Sequence, residues 1–267
     1  MTPPEIDHDA LARAGLRVES AGVVTTVTLD RPRTKNSQTP ATWLALAAIG
    51  RSLPPETRVV VLQGAGETFS SGLDRRVLTP EGVEGDTSLL QLLALSDEEL
   101  SATIGTYQEG FTWLRSPEII SVAAIQGHAI GAGFQLALSC DLRVLADDAV
   151  LSMRETQLGL VPDLTGTKPL VELVGYSRAL EICATARDVS ATEAREIGLA
   201  TAVVPKEELR EAVADLVAAL TAALPGAVTE TKALIRSASV LDLDEQRRTE
   251  REAQIRRFRE LASLMGQ

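Results

Sequence analysis

"EIISVAAIQGHAIGAGFQLALSCDLRVLAD", Glu118 to Asp147, is the stretch from which the architecture can be read. Glu118 to Gly127 is a short, nearly continuous apolar run, the pattern of a strand covered on both faces. Gly131 to Cys140, "GAGFQLALSC", has the small residues of a helix packed tightly on its surroundings, and Asp141 to Asp147 reads as another strand. Strand, helix and strand in so few residues require a crossover connection and hence parallel pairing. The first long polar side chain on the helix is an amide, Gln135, at a place where chemistry would more naturally use an acid.

The same rhythm extends upstream. Gly22 to Leu29 alternates and is β-branched, which predicts a strand, and Arg58 to Gly64, "RVVVLQG", predicts a second buried one. Between them "TPATWLALAAIGRSL" reads as a helix with Thr39 as N-cap and Pro40 in the first position. A helix is expected over Ala102 to Leu114, ending before Pro117. The Gly-rich, acidic stretch from Thr79 to about Glu99 has no clear period and reads as a mobile flap. Downstream, "SATE" (Ser190 to Glu193) has the form of a capping box, and Gly198 closes its short helix. After Pro205 the pattern is helical throughout, with apolar faces at Leu209, Val213, Leu216, Val217 and Leu220, and again at Ile255, Phe258, Leu261 and Ala262. These elements give an α/β class with a mainly parallel sheet, an α/β core over residues 1–205 and a helical extension over 206–267.

Composition limits the function classes. The chain has 267 residues, 45% apolar and 24% charged, with a formal net charge of −11. That charge argues against nucleic acid or an anionic membrane as principal partner. No apolar run approaches the roughly 18 residues of a membrane span, and the acidic N-terminus has no signal core, so a cytoplasmic location is expected. Cys140 and Cys183 share no metal or redox spacing and read as buried, reduced thiols; no metal site is expected. His8 falls in a lead expected to be disordered. His128 is expected to make a structural hydrogen bond. Local basic clusters, "RPRTK" (Arg31 to Lys35) and "DRR" (Asp74 to Arg76), leave room for an anionic small ligand.

Two glycine turns and two acids could carry chemistry. In "SSGLD", Gly72 allows a sharp turn that frees the Leu73 N–H. In "IGAGF" the first N–H groups of a helix, Ala132 among them, lack internal partners, and the helix dipole favours negative charge there. Two such donors could hold a developing oxyanion, although Gly-Ala-Gly is more often a packing contact. Glu155 in "RETQLG" and Asp163 in "VPDLTG" flank a short apolar turn, where desolvation raises carboxyl pKa values toward general acid–base use. The bland alternative for this pair is a cap and a surface residue.

The order of these pieces resembles the crotonase superfamily, the enoyl-CoA hydratases and isomerases, over about residues 20 to 205. The resemblance rests on "AIQGHAIGAGFQLALSCDLRVLADDAVLSMRETQLGLVPDLTG", on the upstream "LDRPRTKNS" and "FSSGLD", and on the downstream "SATEAREIGLATAVVP". It implies a spiral of ββα units, an acyl-CoA thioester substrate, no further cofactor, and assembly into homotrimers or homohexamers. It implies an oxyanion hole from the backbone N–H groups of Leu73 and Ala132. CoA would be bound near Arg31, Arg33, Lys35, Ser71, Gly72, Asp74 and Arg76. In hydratases of the family Gln135 would be a first catalytic glutamate, and Glu155 matches the second, with Arg154 in place of the usual proline. Asp163 replaces a family glycine and stands eight positions after Glu155, as an acid does in dienoyl-CoA isomerases, whose third acid falls at Gln135. An amide can orient water but does not exchange a proton at neutral pH. The resemblance therefore implies double-bond isomerisation by Glu155 and Asp163, with Gln135 as a polar positioning group. The alternatives are a weak hydratase, or an acyl-CoA binding protein without activity; hydrolysis or decarboxylation of an unusual acyl-CoA is a more distant option. Family members usually continue past the final helix with a segment that touches CoA, whereas this sequence runs to "FRELASLMGQ"; Arg256, Arg257 or Arg259 are candidates for that contact. The acyl-pocket wall is expected from Thr79 to Ser101.

Overall fold

Strands β1 (Leu16–Ala21), β2 (Val24–Leu29), β3 (Val59–Gly64), β4 (Ile120–Ile125), β6 (Leu142–Ala146) and β9 (Ala202–Val204) form one sheet in the order β1-β2-β3-β4-β6-β9. Strands β5 (His128–Ile130), β7 (Val150–Ser152) and β8 (Val189–Ser190) form a second, in the order β5-β7-β8. The β1/β2 and β7/β8 pairs are antiparallel and the others parallel. The computed structural model describes residues 7–266. Its helices are α1 (His8–Arg13), α2 (Pro40–Arg51), α3 (Leu89–Leu93), α4 (Asp97–Thr112), α5 (Ala132–Ser139), α6 (Thr167–Val174), α7 (Tyr176–Thr185), α8 (Ala191–Glu196), α9 (Leu209–Ala222), α10 (Pro225–Ser237) and α11 (Leu243–Leu264).

The large sheet is apolar on both faces because successive side chains alternate across it. Val60, Leu62, Ala123, Ile125 and Leu145 enter the main core with Phe134, Leu136 and Leu138 of α5. Val59, Val61, Val122, Ala124, Val144 and Ala146 face the other way, onto Leu209 and Val213 of α9. The segment 206–267 thus divides in packing: α9 covers the sheet, whereas α10 and α11 lie beyond it. Lys232 anchors α10, donating to the Ser116 and Ile119 carbonyls at 2.6 Å and to Asp141 at 2.7 Å. No single helix among the described residues is long and apolar enough to cross a membrane.

All eight residues of α5 are buried, which explains its small side chains. A Cβ on Gly133 would come within 2.7 Å of the Ser70 Cβ, so the helix can close on the "SSG" turn only through glycine. At the other end the buried Arg143 guanidinium donates to the Cys140 carbonyl at 2.7 Å and to Leu199 O at 2.6 Å, a cation at a helix C-terminus.

Several expectations need correction. A strand preceding Gly22 was not anticipated: Leu16 and Val18 bury alternate side chains of β1. The 79–99 stretch holds two capped helix starts, Ser88 with Gln91 and Ser96 with Glu99, so α4 begins at Asp97 rather than Ala102. Asp86 ties this stretch to α2 by accepting the Ala41 N–H at 3.1 Å. His8 lies in α1, whose N-cap is Asp7. Ser190 caps α8 as expected, but Glu193 turns to Arg187 instead of returning to the cap. Cys140 is buried and Cys183 half-buried.

Candidate active site

The two glycine turns meet. A Cβ on Gly72, at φ +81°, would sit 2.3 Å from the Ile130 carbonyl oxygen and 3.4 Å from the Ala132 nitrogen. The first turn is held by the loop before α2. Asn36, itself at φ +54°, donates to the Ala65 and Thr68 carbonyls at 2.9 and 2.6 Å. Gln38 donates to Ser70 Oγ at 3.0 Å, and Ser70 Oγ accepts the Gly72 N–H at 3.2 Å. The bridge between Gln38 and Leu73 uses the Gly72 carbonyl and the Asp74 N–H. It leaves the Leu73 N–H with no acceptor among the described residues. In the second turn Gly131 donates to the Ser152 carbonyl at 2.8 Å, while Ala132 opens α5 with its N–H likewise unused.

Both turns border an inner cavity of about 230 Å³. Its walls include Trp43, Ile104, Leu158, Leu160 and Val161, with Gln135, Glu155 and Asp163 among the polar groups and Ser71, Arg75 and Arg154 toward the wall shared with an outer cavity. None of its lining comes from residues 79–101, so the expected wall is replaced by α2, α4 and the turn after Glu155. Glu155 starts a single 3-10 turn after β7, closed by Gly159 in the left-handed region at φ +72°. Its carboxylate lies beside the second glycine turn: a Cβ on Gly131 would be 3.4 Å from Oε1.

Gln135 is fully buried and every polar atom of its amide has a defined direction. Its Oε1 accepts the Leu164 N–H at 2.9 Å and the Gly166 N–H at 3.2 Å, and its Nε2 donates to Glu155 Oε1 at 2.6 Å. The amide is therefore a strut between Glu155 and the loop that carries Asp163. Glu155 Oε2 is buried without a hydrogen-bond partner among the described residues. Burial pushes the Glu155 carboxyl above its ordinary range; its own N–H and Gln135 oppose the rise, and Asp163 adds to it. Asp163 is more accessible, yet the protein around it also raises its carboxyl by desolvation.

An outer cavity of about 500 Å³ shares Ser71, Leu73, Arg75, Ile130 and Arg154 with the inner one. Asp74, Arg76, His128 and Asp188 also line it. Here the charges are paired. Arg76 holds the Asp74 carboxyl down at about 2, with a 2.7 Å contact, and Arg31 joins at 3.1 Å. Arg154 pairs with Asp188 at 2.6 Å.

Among the residues expected to bind CoA, Ser71, Asp74 and Arg76 line this cavity and Gly72 shapes its edge. Arg31 is outside this lining: its guanidinium donates to Asp74 and the Ser37 carbonyl, and its stem packs on Gly15. Arg33 and Lys35 are exposed on the same loop, on either side of Thr34, which lines the outer cavity. His128 is exposed on the outer cavity instead of making a structural hydrogen bond. Arg256 and Arg257 are engaged by Glu230 and Glu260. Sequence reasoning missed Arg75 and Arg154, which line both cavities. "DRR" signalled the first, and the replaced proline before Glu155 signalled the second.

Comparison with known proteins agrees with this geometry. The enoyl-CoA hydratase/isomerase family model matches residues 19–266. The chain belongs to that family. Among curated relatives of this family member, the peroxisomal Delta(3,5)-Delta(2,4)-dienoyl-CoA isomerase of Arabidopsis thaliana is 36% identical, over 70% of this chain and 67% of its own. Carnitinyl-CoA dehydratase of Salmonella typhi is 31% identical, over 86% and 83%. A solved structure from Thermobifida fusca YX, provisionally described as an enoyl-CoA hydratase and in complex with CoA, is 49% identical, with a TM-score of 0.92 over 98% of both chains. The crotonase-like fold and an enzyme of the hydratase/isomerase family are thereby established.

Proposed function

We propose that this family member acts on acyl-CoA thioesters and moves a double bond along the acyl chain, with Glu155 as base and Asp163 as its acid partner. The observation that carries this reading is the state of the two polar ends of the inner cavity. Glu155 Oε2 is buried and has no hydrogen-bond partner among the described residues, and Glu155 lines the same cavity as Leu73 and Ala132, whose backbone N–H groups have no acceptor among those residues either. A thioester oxygen placed between the Leu73 and Ala132 amides would bring its α- or γ-carbon toward that carboxylate. CoA-bound relatives and a dienoyl-CoA isomerase among the matches support the substrate class.

The step balances as follows. Glu155 Oε2 takes a proton from the carbon, and the electron pair of the broken C–H bond moves through the conjugated chain to the thioester oxygen. The resulting enolate is held by the two amides, each contributing on the order of 3 kcal/mol. Asp163, whose carboxyl is also shifted upward by desolvation, delivers a proton to the far end of the conjugated system. The proton left on Glu155 and the vacancy on Asp163 then re-equilibrate with water at the accessible Asp163 side. Hydration would need a second titratable group where Gln135 stands, and that amide is already bonded at all three of its contacts. The exposed Ile235, Val240, Leu243, Phe258 and Leu264 of the C-terminal helices support assembly of copies through that end of the molecule. The test is product analysis with non-conjugated dienoyl-CoA and with conjugated enoyl-CoA. Conjugation of the first without water addition to the second is expected. Rapid hydration with no isomerisation overturns the reading.

A further inference from the structure

Helix α4 contains two interior glycines, and the packing of this chain explains only one. A Cβ on Gly110 would lie 2.3 Å from the Trp43 carbonyl oxygen, so glycine is what lets α4 close on α2. A Cβ on Gly105 would meet nothing within 4 Å, and the residue has ordinary helical backbone. Glycine is the weakest helix former after proline, so no contact inside the chain favours it at that position.

The space beside Gly105 belongs to a groove of about 360 Å³ along one face of α4, lined by Asp97, Leu100, Ser101, Ile104, Gly105 and Gln108. Leu100, Ile104, Gly105 and Gln108 are half-buried and form its floor, and Asp97 and Ser101 are exposed at its rim. Two floor residues connect it to the site already described. Ile104 is also a wall of the inner cavity. Gln108 donates to the Asp163 backbone carbonyl at 2.7 Å, fixing this face of α4 to the acid loop. The inner cavity, about 230 Å³, is below the roughly 300–1,000 Å³ of pockets that enclose a drug-sized ligand.

We propose that this groove is a distal acyl subsite: a chain too long for the inner cavity passes Ile104 and lies along α4 in the notch that Gly105 leaves. The subsite rests on the acyl-CoA reading above and adds the substrate class, thioesters whose apolar tail extends well beyond the acid pair. Gly105 is then a specificity-determining position without any part in proton transfer.

The test compares wild type, Gly105→Ala and Gly105→Leu full-length protein on isomerisable butenoyl-, octenoyl- and dodecenoyl-CoA. The added side chain has open space, so thermal melting should stay at or above the wild-type midpoint. With Gly105→Leu, kcat/KM should be unchanged for butenoyl-CoA and fall about ten-fold or more for dodecenoyl-CoA, with Gly105→Ala between. If Gly105→Leu fails to fold, Ser101→Leu at the rim must show the same dependence on chain length. An equal loss at every length, or no loss with the long substrate, overturns the subsite while leaving the acyl-CoA reading intact. A changed sedimentation coefficient for Gly105→Leu with unaltered chain-length preference also overturns it, by making the notch a contact between copies. No binding or turnover of any thioester by wild type removes the acyl-CoA reading and the subsite with it.

Discussion

The outer and inner cavities share five wall residues but treat charge in opposite ways. On the outer cavity Asp74 pairs with Arg76, with Arg31 joining from behind the wall, and Arg154 pairs with Asp188; these arginines stay partly in water, as does the exposed Arg75. In the inner cavity two backbone N–H groups, of Leu73 and Ala132, and the buried Glu155 Oε2 have no partner among the described residues. Paired, hydrated charges can attract and orient an anion at little cost to the fold. Orphaned buried groups are expensive to maintain, and they are found where a ligand would complete them. Binding and chemistry are thereby separated over a short distance of wall.

That contrast can be broken most strongly at Glu155. Glu155→Gln should lower kcat by about a hundred-fold or more in a steady-state isomerase assay, while CoA affinity measured by calorimetry stays within a few-fold. A comparable loss of affinity would mean that the inner carboxylate belongs to the binding half. Gly72→Ala should follow, at roughly a hundred- to a thousand-fold in kcat. The new methyl would push against the Ile130 carbonyl and disturb the Leu73 amide beside it. A melting curve separates this from unfolding.

Gln135→Glu sharpens the comparison through pH. Glu155 acts as a base only when ionised, and burial raises its pKa, so the acid limb of kcat/KM should lie above the ordinary glutamate range. Activity is lost as pH falls through that limb. A carboxylate at position 135 would keep one oxygen on the Leu164 and Gly166 N–H groups and present the other to Glu155. Two carboxylates so placed must share a proton. The acid limb should then move up. An unmoved limb would show that the amide does not set the state of Glu155. The smallest effect is expected outside: Arg76→Ala should weaken CoA binding only a few-fold, and less at high salt, as befits an exposed ion pair.

Much of the fold was legible because it is written in buried strands. "VVVL" (Val59 to Leu62) and "VAAI" (Val122 to Ile125) are apolar at every position since both faces of the sheet are covered, and Gly133 of α5 marks close approach to Ser70. The paired acids and glycine turns were legible through spacing along the chain. What could not be read is whatever depends on partners far apart in sequence. Arg31 looks like a free cation until Asp74 is brought beside it. The acyl-cavity wall draws on Trp43, Ile104 and Leu160, and no local pattern connects them. Gln135 read as a displaced acid, and only the Leu164 and Gly166 amides reveal it as a strut. The starts of α3 and α4, at Ser88 with Gln91 and Ser96 with Glu99, lie in the acidic stretch that read as a flap.

The central claim is that the Leu73 and Ala132 amides stabilise an enolate formed by Glu155. Its most direct test is deuterium uptake from heavy water into a bound enoyl-CoA, followed by mass spectrometry or NMR. Wild type should incorporate deuterium at the α- or γ-carbon, and Glu155→Gln should bind the same thioester without exchange. Equal exchange in both proteins, or none in wild type under saturating thioester, would contradict it.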